Sequence, residues 1–273
     1  MPDPTPRALC INLARRDDRR TRMLRVAAGA GLALDWIDAL DATDPAAAPA
    51  LAALPPDGPT GRLGDGARAC TLSHARAWRA AAESGADWTI VLEDDVILAP
   101  DSGAVLAALL RDPPQAVDIV KLEAGGTVPL GIVVGAELAR PGGRAIRRCH
   151  QLATDSAAYA ISAAGARQAL ARVSACNTGV DHFLFYPRPR RGGAGLRQAL
   201  MVPPLAVQDR ALASDIKGRR YGARDRLQRL RRGLYEGAQA GGLLRALASG
   251  ARVVKAPYAA DPRAQAPIGP DQP

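Results

Sequence analysis

With 273 residues, 48% of them hydrophobic, the chain can bury a full core and is sized for one large α/β domain with an appendage. Its net charge of +9, carried almost wholly by Arg, favours anionic partners but does not choose among nucleic acid, an anionic membrane and phosphate-bearing substrates. Cys10, Cys70, Cys149 and Cys176 are scattered without a C-x-x-C pair, which excludes a zinc ribbon or disulfide framework, and no window has the apolar length of a membrane span. A soluble, cytoplasmic protein is expected.

Arg7 to Leu13 (RALCINL) is an apolar run ending in charge, the pattern of a buried strand. A helix follows, with Asp17 or Asp18 as its cap, Met23, Val26 and Ala27 on one face and Gly29 and Gly31 as its stop; a second strand is expected over Leu32 to Ile37. The Pro-, Gly- and Ala-rich stretch from Ala42 to Gly66 reads as a mobile loop with at most a short helix. Helical spacing returns over Thr71 to Ser84, with Ser73 and His74 placed at the helix start, where Ser caps and His packs. The strand Trp88 to Leu92 then runs into Glu93, Asp94 and Asp95. Further strands are expected at Asp118 to Leu122, Gly131 to Val134 and Ala157 to Ile161, the last followed by a helix that Ser162 caps and that runs to about Val173. Alternating strands and helices imply a largely parallel sheet.

After Pro203 and Pro204 the character changes. Arg219, Arg220, Arg224, Arg226, Arg229, Arg231 and Arg232 interleave with Leu227, Leu230 and Leu234 at helical spacing. This divides the chain into a catalytic domain over 1–215, a basic helical extension over 216–256 and a disordered tail over 257–273. The basic helix suits an anionic membrane surface, and packing of its leucines against the domain accounts for it equally well.

Three adjacent carboxylates at the end of an apolar strand repel one another, and a divalent cation is the usual remedy, although a surface acidic turn explains the tripeptide alone. Two longer blocks decide the matter. CTLSHARAWRAAAESGADWTIVLEDD, from Cys70, and INLARRDDRR, from Ile11, resemble the signature blocks of glycosyltransferase family 25, the lipopolysaccharide and lipooligosaccharide biosynthesis enzymes. Weaker echoes are AAYAISAAGA from Ala157, Val180-Asp181 and PPLAVQD ending at Asp209, so the resemblance spans Arg7 to Ser214. The chain departs from the family where Gly-Glu-x-Gly-Cys is replaced by Gly66-Ala67-Arg68-Ala69-Cys70, and where Ala157 stands in place of a His.

The resemblance implies an α/β, GT-A-like nucleotide-sugar (Rossmann-like) fold, a UDP-sugar donor, often UDP-galactose, manganese or magnesium, and inversion at the anomeric carbon. Asp95 and Glu93 would then ligate the metal, with Asp94 a second ligand or a contact to the donor sugar or ribose. Asn12 and Arg16 would hold the uracil or diphosphate, His74 would border the donor, and Arg19 and Arg20 would be solvated. An inverting transfer also needs a carboxylate to deprotonate the acceptor hydroxyl, and Asp181 is the candidate, ahead of Asp155 and Asp209. Phe183, Phe185 and Tyr186 serve either as an acceptor wall or as core.

The expected partners are a UDP-sugar, a saccharide or lipid-linked glycan acceptor, and the inner membrane face, held through the basic helix. Rival classes are an inactive nucleotide-binding module and an anionic-surface binder. With 4% aromatic residues and none among the clustered arginines, specific nucleic-acid binding is not expected. A metal-dependent phosphoesterase would need more His or Asp ligands than His74, His150 and His182 supply.

Overall fold

The computed structural model describes residues 5–59, 61–124, 131–186, 193–212, 234 and 241–255. The expected opening is present as β1 (Arg7–Asn12), α1 (Asp17–Gly29) and β2 (Ala33–Asp38). Asp17 and Asp18 occupy the first turn of α1 rather than its cap; the capping position is Arg16, which makes no side-chain cap bond. Gly31, at φ +70, turns the chain out of the helix.

The segment expected to be a mobile loop with at most a short helix does carry one short helix, but it is packed rather than loose. A 3₁₀ turn (Pro45–Ala47), α2 (Ala48–Ala52) and a hairpin of β3 (Asp57–Gly58) and β4 (Gly61–Arg62) fill it. Ala47 and Leu51 bury against Ala69 of the next helix, with Leu40, Ala42 and Leu72 around them. That helix, α3 (Asp65–Glu83), starts six residues earlier than its apolar spacing predicts, because it begins at Gly64 without a side-chain cap to mark it. Ser73 and His74 are therefore in its middle.

Next come β5 (Trp88–Glu93), β6 (Val96–Leu98), α4 (Ser102–Arg111), β7 (Ile119–Lys121), β8 (Gly131–Ala139) and β9 (Ala145–Cys149). β10 (Ala158–Ser162) leads into α5 (Ala163–Arg172), and Ser162 caps that helix as expected, its Oγ accepting from the Gly165 amide at 3.0 Å. α6 (Val180–Phe185), β11 (Gln198–Val202), β12 (Ala206–Gln208), a helix over 241–248 and β13 (Arg252–Lys255) complete the described chain.

Among the described residues nine strands form one sheet in the order β13-β8-β9-β11-β7-β10-β5-β1-β2. The expectation of a largely parallel sheet is corrected here. β2, β1 and β5 are mutually parallel, as are β11 and β7, but β10 enters antiparallel between β5 and β7, and β9, β8 and β13 continue antiparallel. Both faces are covered. Ile90, Leu92, Ala158 and Ala160 pack with Met23 and Ala27 of α1 and Leu106 and Leu109 of α4. Their neighbours along the same strands, Val91, Tyr159 and Ile161, pack with Trp78 of α3, Ala166 of α5 and Phe183 of α6. Strands buried on both faces read as continuous apolar runs, which is why β5 and β10 were visible in the sequence while their relative direction was not.

No helix among the described residues is long and apolar enough to cross a membrane. The clustered arginines from Arg219 to Arg232, with Leu227 and Leu230, and the tail over 257–273 lie outside the described residues. Beyond them the chain returns to the sheet, where β13 pairs antiparallel with β8 through Arg252↔Val134 to Lys255↔Gly131.

Candidate active site

β1 and β5 run parallel in the register Ile11↔Glu93, so their ends bring Asn12 and Asp94 side by side. Asn12 is buried; its Nδ2 donates to Asp94 Oδ2 at 2.7 Å and, more weakly, to the Arg16 carbonyl at 3.3 Å. The other Asp94 oxygen takes Arg19 Nη1 at 2.6 Å. Asp94 is thus a buried, twice-held carboxylate that joins β1, α1 and the end of β5.

The expectation that Arg19 is solvated is corrected: it is 6% exposed and forms this buried ion pair. Arg20 stacks its guanidinium 4.6 Å from the centre of the Trp36 ring and approaches Asp38 at 3.9 Å. One turn on, buried Arg22 pairs with Asp209 at 2.9 Å and also donates to the Val96 carbonyl. A helical residue paired across the fold reads in the sequence like any surface arginine, so nothing there distinguished Arg19 and Arg22 from their exposed neighbours.

Glu93 is held from the α3 side. His74, 1% exposed, places Nε2 3.1 Å from Glu93 Oε1 and Nδ1 2.9 Å from the Tyr159 hydroxyl, while Ser156 Oγ donates to Glu93 Oε1 at 3.3 Å. Ser73 does not cap a helix: its hydroxyl donates back to the Ala69 carbonyl and accepts from the Leu40 amide. Asp95 differs from its neighbours. Its Oδ1 is buried with no hydrogen-bond partner among the described residues, and burial, with Glu93 and Asp94 close by, pushes its carboxyl up to about 8.

A further acid was missed in the sequence. Glu123, just past β7, is fully buried; its Oε1 accepts from Lys121 Nζ and from the Ala157 amide, both at 2.7 Å, and burial raises its carboxyl to about 7. The signal was available. DIVKLE (118–123) repeats the form of WTIVLE (88–93), an apolar strand closing on Leu-Glu, and the two strands flank β10 in the sheet.

Two clefts meet at this strand end. The first, of about 130 Å³, is bounded by Ile11, Leu13, Leu40, Arg15, Asp41 and Thr43. The Thr43 amide and hydroxyl and the Arg15 guanidinium hold Asp41 down to about 2. The second, of about 330 Å³, is bounded by Ala67, Asp155, Ser156, Asp181, Asp209 and Arg210. Cys70, Glu93 and Asp95 line both.

The geometry brings together His74, Glu93, Asp95 and, on the far side, Asp181. Asn12 and Arg16 line neither cleft: Asn12 is spent on Asp94, and Arg16 turns to Asp18 at 2.8 Å. Asp181 accepts the His182 amide at 2.8 Å and the Asp155 amide at 3.3 Å. Phe183, Phe185 and Tyr186 are core, between 0% and 4% exposed, and build no acceptor wall.

A large mixed sheet between helical layers, with carboxylates massed where its parallel strands end, fits the Rossmann-like glycosyltransferases as a class. Residues 5–126 match the model of glycosyltransferase family 25 (LPS biosynthesis protein). The match takes in β1 through β7 and the strand ends bearing Asn12, Glu93, Asp94, Asp95 and Glu123, so this stretch carries the family's glycosyltransferase signature, while the later echoes from Ala157 to Asp209 lie outside it. No curated protein matches the chain.

Proposed function

We propose that the protein moves a hexose, galactose by preference, from a UDP-sugar to a saccharide acceptor of lipopolysaccharide or a related glycan, with inversion and with help from manganese or magnesium, on a GT-A-like catalytic unit spanning 1–215. One observation carries the reading: two clefts of different character share Glu93 and Asp95 at their junction, the place where a donor and an acceptor would meet. The first cleft offers apolar walls for a base and Arg15 for a phosphate; the second is lined with carboxylates, the Ser156 hydroxyl and the Gln208 amide, suited to sugar hydroxyls.

The residues fit a hard divalent cation. The buried Oδ1 of Asp95 is an acceptor without a donor among the described residues, in a setting that disfavours its charge until a cation arrives. Asp95 and Glu93 would hold the ion, which when bound supplies charge neutralisation to the departing diphosphate. Asp94 acts as the frame, fixed by Asn12 and Arg19. Arg15, in the first cleft, is assigned to the diphosphate end of the donor in place of Arg16, which lines neither cleft. Asp181, across the second cleft, takes the proton of the attacking acceptor hydroxyl; Asp209 is less suited because Arg22 engages it.

The test is UDP release from a panel of UDP-sugars, with and without manganese, by wild type and by Asp95→Ala. Metal-dependent release lost in the variant, by roughly 100-fold or more, is the expected outcome. Absence of turnover together with absence of metal-dependent UDP binding would overturn the reading.

A further inference from the structure

Cys70, His74 and Glu93 present ligand atoms within 4.8 Å of one another, a grouping that would suit a thiolate-loving cation such as zinc. Cys70 and His74 are one turn apart on α3, and Glu93 faces them from β5, so the trio has the layout of a metal site. The hydrogen bonds behind it decide otherwise.

Trp78 Nε1 is a donor only, and it points at the Tyr159 hydroxyl oxygen at 2.8 Å. That hydroxyl has one proton, is fully buried, and among the described residues has two hydrogen-bond partners, Trp78 and His74. With Trp78 occupying it as an acceptor, its proton goes to His74 Nδ1. Were Nδ1 itself protonated, in the other tautomer or in imidazolium, two donors would converge on the Tyr159 oxygen and its own buried proton would have no acceptor among the described residues, an arrangement that buried polar groups avoid. Nδ1 is therefore the acceptor, and the ring's proton is on Nε2, aimed at Glu93 Oε1.

We infer that Trp78, Tyr159 and His74 form a one-way hydrogen-bond relay that makes His74 a positioning residue: its Nε2–H donates to Glu93, fixes the carboxylate at the junction of the two clefts, and withholds the ring nitrogen from any metal. The Cys70, His74 and Glu93 trio is then not a zinc site. The consequence for catalysis rests on the glycosyl-transfer reading; the direction of the relay does not.

Two measurements need no substrate. In a long-range ¹H–¹⁵N spectrum of the labelled protein, the His74 signals, identified by their disappearance in His74→Gln, should show a protonated Nε2 and an unprotonated Nδ1. Trp78→Phe removes the donor that fixes the direction and should shift the ring toward the Nδ1–H form. If that variant does not fold, the wild-type spectrum decides alone. An Nδ1–H tautomer or a doubly protonated ring in wild type overturns the inference. Cobalt(II) added to wild type should give no thiolate-to-cobalt absorption that Cys70→Ser abolishes; such a band would restore the trio as a metal site.

A third measurement reads function. Gln places an N–H where imidazole carries Nε2–H, whereas Asn mimics Nδ1 and falls short of Glu93. In the UDP-release assay His74→Gln should keep at least roughly ten times the activity of His74→Asn, a span in keeping with groups that orient metal-bound ligands. Equal loss in the two variants, with the wild-type tautomer as expected, would remove the positioning role while leaving the glycosyl-transfer reading intact.

Discussion

Asp95 and Glu123 make stability depend on pH in an unusual direction for carboxylates. Both are raised in the folded state, to about 8 and about 7, chiefly by burial. The folded protein therefore keeps protons that the unfolded chain has already released above about pH 4, so their contribution is whole below that point and is lost as pH rises through the folded values. Thermal unfolding of metal-free protein should show a melting temperature that declines between about pH 5 and pH 8, with a flatter decline in Asp95→Asn; an equally steep decline in the variant would assign the effect elsewhere. Manganese should raise the melting temperature of wild type at pH 8 and not that of the variant. The residue scale is also where the sequence was hardest to read. Glu93, Asp94 and Asp95 stood out because an apolar run ends on them. Arg19, by contrast, is one of six arginines within the first 25 residues after Arg7, and only the fold reveals that it faces Asp94. Removing it should be costly: Arg19→Ala leaves Asp94 buried without its cation, and urea unfolding should register a loss of roughly 3–5 kcal/mol, partly recovered when Asp94→Asn is added.

At the scale of elements, the strands and helices that were legible are those with a chemical punctuation mark. Ser162 announced α5 and Gly31, at φ +70, ended α1. α3 began without such a mark, and its first turn went unread. Strand direction was out of reach for a different reason: Ala158 to Ser162 are buried throughout, so the run looks the same whichever way it enters the sheet. Two substitutions test the elements' own supports. Ser162→Ala should lower stability by about 1 kcal/mol, the usual cost of an N-cap, and leave UDP release unchanged. Gly103→Ala should cost more, because the added Cβ would come within 2.5 Å of the Gly31 carbonyl and 2.6 Å of the Ala30 carbonyl, both backbone atoms that cannot swing aside. Chemical denaturation that ranks these two in the opposite order would contradict the packing described for α4.

For the whole molecule, the positive charge predicts salt-sensitive retention on anionic vesicles. Binding that survives 0.5 M salt, at which screening reaches only about 4 Å, would point to something other than charge. The class of fold was legible from the alternation of strands and helices, while the place of β13 was not, because its four residues are separated from the sheet by a long basic stretch with no strand signal. That place has a consequence for how the protein is made. The sheet is filled from β2 and β1 at one margin to β13 at the other, so the margin that includes the family-25 stretch can assemble while the chain is still emerging from the ribosome, whereas β8 waits with its outer row of amides and carbonyls bare until β13, more than a hundred residues further on, has been translated. A stop codon just ahead of β13, sparing every catalytic candidate, would still release a product with an adhesive flank.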